Sequence, residues 1–135
     1  MICLDTNVVI AVVNGRIPIV RVRLREQWRA GAEIQLPAIV LFEMRYGAAK
    51  SERRAASEAA LDEFLASGVA IAPFDAEDAA HAADIRAHLE AKGTPIGPYD
   101  TLIAAQARRR DATLVTANTR EFARVPGLMV ADWAA

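Results

Sequence analysis

The hexapeptide ICLDTN, residues 2–7, shows the pattern from which the fold can be predicted. Its three apolar residues indicate a short buried strand, and Asp, Thr and Asn are residues that commonly begin helices. A buried strand that passes directly into a helix starts a β–α unit, and such units build parallel sheets covered by helices. The stretch therefore predicts an α/β fold in which Asp5 lies at the carboxyl end of the first strand.

The rest of the chain repeats this alternation. Short apolar runs are separated by helical segments that begin at Pro or Asp or end at Gly. We expect a three-layer α/β/α sandwich with a short, mainly parallel central sheet, formed by residues 1–135 as a single domain. The predicted strands are 2–4, 33–36, 69–72, 113–116 and 128–130, and the predicted helices are about 5–13, 18–30, 37–47, 51–68, 75–92, 99–110 and 118–123.

The composition is that of a globular protein. Apolar residues make up 53% of the chain and charged residues 24%, and the net charge of −1 provides no overall basic field for nucleic acid. Arginines cluster at 16–29, at 108–110 and at 120–124, and we expect solvated helix faces there rather than phosphate contacts. The single cysteine, Cys3, is expected to be buried and fits a reducing cytoplasm. Neither a secretory signal nor an apolar run of roughly 18 residues, as a membrane span requires, is apparent.

Four polar side chains far apart in the sequence follow or interrupt apolar stretches: Asp5, Glu43, Asp100 and Asn118. Ligands of parallel sheets bind beyond the carboxyl ends of the strands, where Asp5 and Asn118 are expected, and the other two can reach that crevice from their helices. Carboxylates at the edge of a core are costly unless a positive charge meets them, and a shared Mg²⁺ or Mn²⁺ would do so. Such an ion activates water and stabilises charge on a phosphate, which predicts a metal-dependent phosphodiesterase.

Each of these sites also has a simpler explanation when it is taken alone. Asp5, Asp100 and Asn118 can cap the helices that follow them. Glu43 does not fit that explanation, because it interrupts a helix that is apolar nearly all round, where a buried Glu needs a partner.

The histidines and aromatic residues are less specific. His81 and His88 lie seven residues apart on one predicted helix, and we expect partly exposed helix residues rather than a general base. Stacking on nucleic-acid bases and a dimer contact are both open roles for the larger aromatic residues, although ordinary positions in the core or on the surface are favoured. These residues are Trp28, Tyr46, Tyr99 and Trp133.

Four segments together resemble the PIN-domain ribonucleases, and most of all the VapC-type toxins of bacterial toxin–antitoxin pairs. The segments are LDTN at 4–7, FEMRYG at 42–47, GTPIGPYD at 93–100 and NTREF at 118–122. The resemblance implies an α/β/α sandwich that cleaves RNA with Mg²⁺ or Mn²⁺, usually as a homodimer. It also implies a small antitoxin partner that inserts a segment into the active-site groove.

The resemblance further implies roles for individual residues. Asp5 and Asp100 would be metal ligands, and Glu43 would bind the metal directly or through water. Asn118 stands where many members of the wider family carry Asp, so it can orient a water or ligate weakly but adds no charge. The hydroxyl and amide groups behind the metal ligands would come from Thr6, Asn7 and Thr116. A contact at the groove would come from Arg86.

Two other functions remain open from the sequence. Haloacid-dehalogenase-like phosphatases also place an Asp after the first strand, but they need an acid two residues later, where this chain has Asn7. A catalytically silent PIN module that only binds RNA would be expected to have lost acids, whereas Asp5, Glu43 and Asp100 are all present.

Overall fold

In the computed structural model, which describes residues 1–135, five strands form one parallel sheet. The order is β3-β2-β1-β4-β5. Strands β2 and β3 are added on one side of β1, and β4 and β5 on the other, so the order of strand addition reverses between β1 and β4. Parallel sheets bind ligands at such a reversal. The strands are β1 (Ile2–Leu4), β2 (Ile34–Pro37), β3 (Ala70–Ala72), β4 (Thr113–Val115) and β5 (Met129–Ala131).

Seven helices cover the sheet. They are α1 (Thr6–Asn14), α2 (Pro18–Arg29), α3 (Ala38–Ala49), α4 (Arg54–Leu65), α5 (Ala76–Ala91), α6 (Pro98–Arg109) and α7 (Thr119–Phe122). Helices α1 to α4 pack on one another, and α5 packs along α6. Right-handed crossovers place these two groups on opposite faces of the sheet. The predicted α/β/α sandwich is confirmed, and the predicted elements differ from the observed ones only at their ends. No helix combines the length and the apolar character that a membrane span requires.

The core lies on both sides of the sheet. Leu4, Leu36 and Leu114 of the central strands are fully buried, and α5 and α6 add Ile85 and Ile103. Cys3 is buried among them as predicted. Its burial raises the pKa of the thiol to about 11, so that Cys3 stays protonated and unreactive at neutral pH.

A buried glutamine joins the two helical layers. Gln106 of α6 is 0% exposed, and its Nε2 donates to the carbonyl oxygens of Ala72 at 2.9 Å and Pro73 at 3.0 Å. Its Oε1 accepts a hydrogen bond from the backbone N–H of Ile39 at 3.3 Å. Because Ile39 lies in the first turn of α3, this one amide fixes the start of α3 relative to α6.

The arginine run at 108–110 is not the solvated face that the sequence predicts. Asp84 accepts from Arg108 at 2.8 Å, and the side chain of Arg110, only 7% exposed, contacts the fully buried Asp78 at 2.7 Å. Arg109 pairs in the same way with acids at the start of α5, which are Asp75 and Glu77. The prediction is wrong because a run of charges does not reveal that α5 presents acids to α6. The arginines of 16–29 are mostly exposed, as expected.

Helix α3 is less buried than its apolar sequence predicts. Only Val40 and Ala48 are buried, whereas Phe42 is 49% and Tyr46 57% exposed. Glu43 is partly buried, so the expectation of a helix enclosed on all sides is wrong. Helix α3 is exposed because it starts at the carboxyl end of β2 and no other element of the chain covers its outer side.

Candidate active site

Asp5 lies at the reversal point of the sheet, between β1 and β4. Its backbone N–H donates to the carbonyl oxygen of Val115 at 3.0 Å, and its side chain is held at both oxygens. Oδ1 accepts from the backbone N–H of Thr6 at 2.8 Å, and Oδ2 accepts from the hydroxyl of Thr116 at 2.8 Å. Burial to 4% exposure raises the pKa of Asp5; the two hydrogen bonds oppose the rise, and the charge of Glu43 adds to it. Asp5 therefore caps α1 and also faces a second acid.

Glu43 reaches this point from α3. The hydroxyl of Thr6 donates to Glu43 Oε1 at 2.7 Å, while the backbone N–H of the same threonine donates to Asp5. Thr6 thereby holds two acids from different elements in a defined relation. The capping explanation that suits Asp5 does not apply to Glu43, which lies inside its helix.

Asp100 lies in the first turn of α6 and does not cap it. The N-cap position is Gly97, with no side-chain hydrogen bond, and a Cβ atom at Gly97 would lie 3.3 Å from Asp100 Oδ2. Burial and, after it, the negative charges of Asp5, Glu43 and Glu121 in that order raise the pKa of Asp100 to about 6. Three acids from other parts of the chain therefore lie near enough to act on Asp100, and the four together are here called the acid crevice.

Glu121 is the member of this group that sequence reasoning missed. The side-chain amide of Asn118 donates to Glu121 Oε2 at 3.0 Å, and the Asn118 backbone N–H donates to the hydroxyl of Thr116 at 2.9 Å. Asn118 makes no side-chain cap on α7. The available signal was the spacing in NTREF, since an acid three residues after Asn118 shares its side of a helix.

Three of the residues considered from the sequence make no hydrogen bond or ion pair with any of the four acids. Asn7 is exposed, and Arg86 has a side chain that is 72% exposed and paired with Glu90 at 3.5 Å. Arg86 does line a surface cavity together with the first turn of α6. His81 is half-buried as predicted, and its Nδ1 accepts a hydrogen bond from Arg108 Nε at 3.0 Å, which is a structural contact.

The donor set of the crevice fits a hard divalent cation. None of the four acids forms an ion pair with Lys or Arg. No three of them stand close enough together to form a complete ligand set by themselves. Mg²⁺ suits such a site, because it keeps several waters and binds directly to only one or two carboxylates.

Comparison with known proteins identifies the family of proteins to which this chain belongs. A model of the PIN domain matches residues 2–128. The chain therefore belongs to the PIN-domain family. It is 38% identical over 130 residues to the tRNA(fMet)-specific endonuclease VapC of Shigella flexneri, covering 96% of each chain. It is 37% identical over 130 residues to ribonuclease VapC2 of Rickettsia felis, again covering 96% of each.

Solved structures agree with this placement. The chain superposes on VapBC2 from Rickettsia felis, bound to a promoter DNA fragment, with a TM-score of 0.92 and 36% identity over 98% of this chain and 99% of that one. It superposes on DNA-bound VapBC from Salmonella typhimurium with a TM-score of 0.89 and 36% identity, over 98% and 97% of the two chains. The predicted VapC-type ribonuclease, an endonuclease of the toxin–antitoxin class, is confirmed, and nothing supports the phosphatase alternative.

Proposed function

We propose that Asp5, Glu43 and Asp100 hold Mg²⁺ or Mn²⁺, one or two of them directly and the rest through bound water, with Glu121 as a fourth acid, and that RNA is hydrolysed at this ion. The observation that carries the proposal is the gathering of four acids of which none is paired with Lys or Arg, and this gathering together with burial raises the pKa of Asp100 to about 6. A divalent cation would relieve the repulsion that the other acids exert on the charged form of Asp100. When bound, such an ion supplies hydroxide at neutral pH and offsets charge developing on the scissile phosphate.

The other residues of the crevice orient the acids. Thr116 and Thr6 hold the two oxygens of Asp5, Thr6 also holds Glu43, and Asn118 holds Glu121. No hydrogen bond from the protein lowers the pKa of Asp100, so its oxygens are free to accept from water or to bind an ion. The chain thus contributes three carboxylates that are held by hydrogen bonds and one, Asp100, that is not.

The similarity also supports a substrate and partners. Because relatives at 38% and 37% identity are named as tRNA(fMet)-specific, we extend that substrate, the initiator transfer RNA, to this chain. Because the similar solved structures are VapBC complexes, we extend to it a small antitoxin partner as well. Assembly as a homodimer, action in the cytoplasm and a groove contact for Arg86 complete the proposal.

A cleavage assay tests each part separately. The purified chain should cut initiator transfer RNA in Mg²⁺, stop in excess EDTA, and resume when Mg²⁺ or Mn²⁺ is restored. Asp5→Asn should lose cleavage by at least about a hundredfold, as expected when a group essential to the chemistry is removed. Asp111→Asn is the matched control, because Asp111 is an exposed acid outside the crevice.

The outcomes separate metal from substrate. Equal cutting in excess chelator would overturn the metal site. Equal cutting of initiator and elongator transfer RNAs would overturn the substrate proposal and leave the ribonuclease in place.

A further inference from the structure

Three exposed aromatic rings lie beside the acid crevice. Phe42 and Tyr46 are one turn apart on α3, and Tyr99 is in the first turn of α6. These residues, here called the aromatic patch, are 49%, 57% and 49% exposed, whereas large aromatic side chains are usually mostly buried. Phe42 directly precedes Glu43, and Tyr99 directly precedes Asp100. The patch and two of the three proposed metal ligands therefore arise from the same two helix segments.

The rings of the aromatic patch form one continuous surface. The ring centroids of Phe42 and Tyr99 are 5.6 Å apart with a tilt of 58°, which joins α3 to α6. The centroids of Phe42 and Tyr46 are 6.5 Å apart, and their planes differ by only 21°. Contact between the rings orders them without burying them, so that ring surface remains open to a ligand.

A lysine borders this surface. Lys50 Nζ lies 4.8 Å from the centre of the Tyr46 ring, and Lys50 takes part in no ion pair. Arg45, a cation within α3, is already paired with Asp62 at 3.0 Å, whereas Lys50 directly follows the helix. The chemistry that matches flat apolar rings next to an unpaired cation is a flat base on a negatively charged backbone.

We propose that the aromatic patch stacks unpaired bases of the RNA next to the bond that is cut, while Lys50 contacts a backbone phosphate. This inference rests on the proposed ribonuclease function and adds how the substrate is selected. Only unstacked bases can present their faces to aromatic side chains, so the patch favours loops and single strands over duplex. Cleavage positions within a folded RNA should accordingly fall in unpaired segments.

Two substitutions at Tyr46 distinguish a ring that stacks from an apolar side chain. In an Asp5→Asn background, which we expect to bind RNA without cutting it, Tyr46→Leu keeps apolar area and loses the ring, whereas Tyr46→Phe keeps the ring. Binding of a fluorescently labelled single-stranded RNA, followed by anisotropy, should weaken about tenfold for Leu and stay within about twofold for Phe. Lys50→Gln should weaken binding and flatten its dependence on salt.

An RNA with abasic sites provides the second half of the test. Removing the bases should weaken binding to the Asp5→Asn parent about tenfold and should change binding to the Tyr46→Leu variant little, because both changes remove the same contact. Circular dichroism melting should show that both Tyr46 variants fold, as their exposed position predicts.

Each contrary result is distinguishable. Equal binding by the Leu, Phe and parent proteins, in a chain that still cuts RNA with Mg²⁺, would overturn the patch proposal and leave the function intact. Tight RNA binding by a chain with all four acids that never cuts would overturn the proposed function instead. Sedimentation velocity measures whether Tyr46→Leu also changes the mass of the particle. If the mass changes together with the loss of RNA binding, the patch is a contact between two copies of this chain, and base stacking is overturned.

Discussion

Replacing Asp100 by Asn should stabilise the protein at neutral pH while it removes cleavage. Burial, and then the charges of Asp5, Glu43 and Glu121, raise the pKa of Asp100 from 3.8 to about 6. At ~1.4 kcal/mol per pH unit, that rise corresponds to ~3 kcal/mol against the charged form. Because Asp100 is only half-buried, solvent screening reduces the expected gain to about 1–2 kcal/mol. Asn keeps the shape of the side chain and removes its charge.

The gain should depend on pH in a defined direction. The folded protein holds the Asp100 proton up to about pH 6, whereas the unfolded chain releases it near 3.8. Within this window the folded state binds more protons, so the free energy of unfolding of the wild type falls as pH rises. The difference between Asp100→Asn and wild type should therefore be complete above about pH 7 and should approach zero near about pH 4.

Urea unfolding in EDTA, followed by tryptophan fluorescence at several pH values, measures this difference. Asp111→Asn, the exposed control, should change the free energy of unfolding by less than about 0.5 kcal/mol. Added Mg²⁺ should stabilise the wild type more than Asp100→Asn, because binding to the folded state adds stability. An Asn variant that is less stable than wild type at neutral pH would refute the account, since it would mean that the charge of Asp100 is already compensated.

Three further substitutions probe the residues around the crevice and the helix pair behind it. Thr116→Val removes the hydroxyl that donates to Asp5 at 2.8 Å. Urea unfolding should show a free energy of unfolding lower by about 1–2 kcal/mol, and initial rates should show a lower kcat. Glu121→Gln should weaken Mg²⁺ binding in calorimetry, and an unchanged affinity would place Glu121 outside the site. Arg110→Met leaves the fully buried Asp78 without its partner at 2.7 Å and should cost about 3–5 kcal/mol in urea unfolding; a loss below about 1 kcal/mol would contradict a buried charge pair.

The strands and two of the acids were predictable because their signals are local. Three apolar residues before Asp5 indicate a buried strand, and the parallel arrangement that follows places its carboxyl end at the crevice. The loop before Asp100, rich in Gly and Pro, marks a helix start without reference to the rest of the fold. Both inferences use neighbouring residues only, and the structure contains the corresponding elements.

Features that depend on contacts between distant elements were not predictable. The pairing of residues 108–110 with α5 requires knowing that α5 lies along α6. The exposure of Phe42 and Tyr46 depends on which surface of α3 the rest of the chain leaves open, and an apolar sequence alone indicates burial. Glu121 contacts Asn118 locally, but its effect on Asp100 depends on the fold bringing α7 near the start of α6, which the sequence does not show.

The buried side chain of Gln106 affects the spacing of the acids in the crevice. Gln106 ties the first turn of α3, which leads to Glu43, to α6, which carries Asp100. The distance between these two proposed ligands is therefore preorganised by this buried amide rather than adjusted by flexible loops when an ion binds. Inactivating mutations need not touch any acid, since a chain that lost this amide would keep every carboxylate and lose only their spacing.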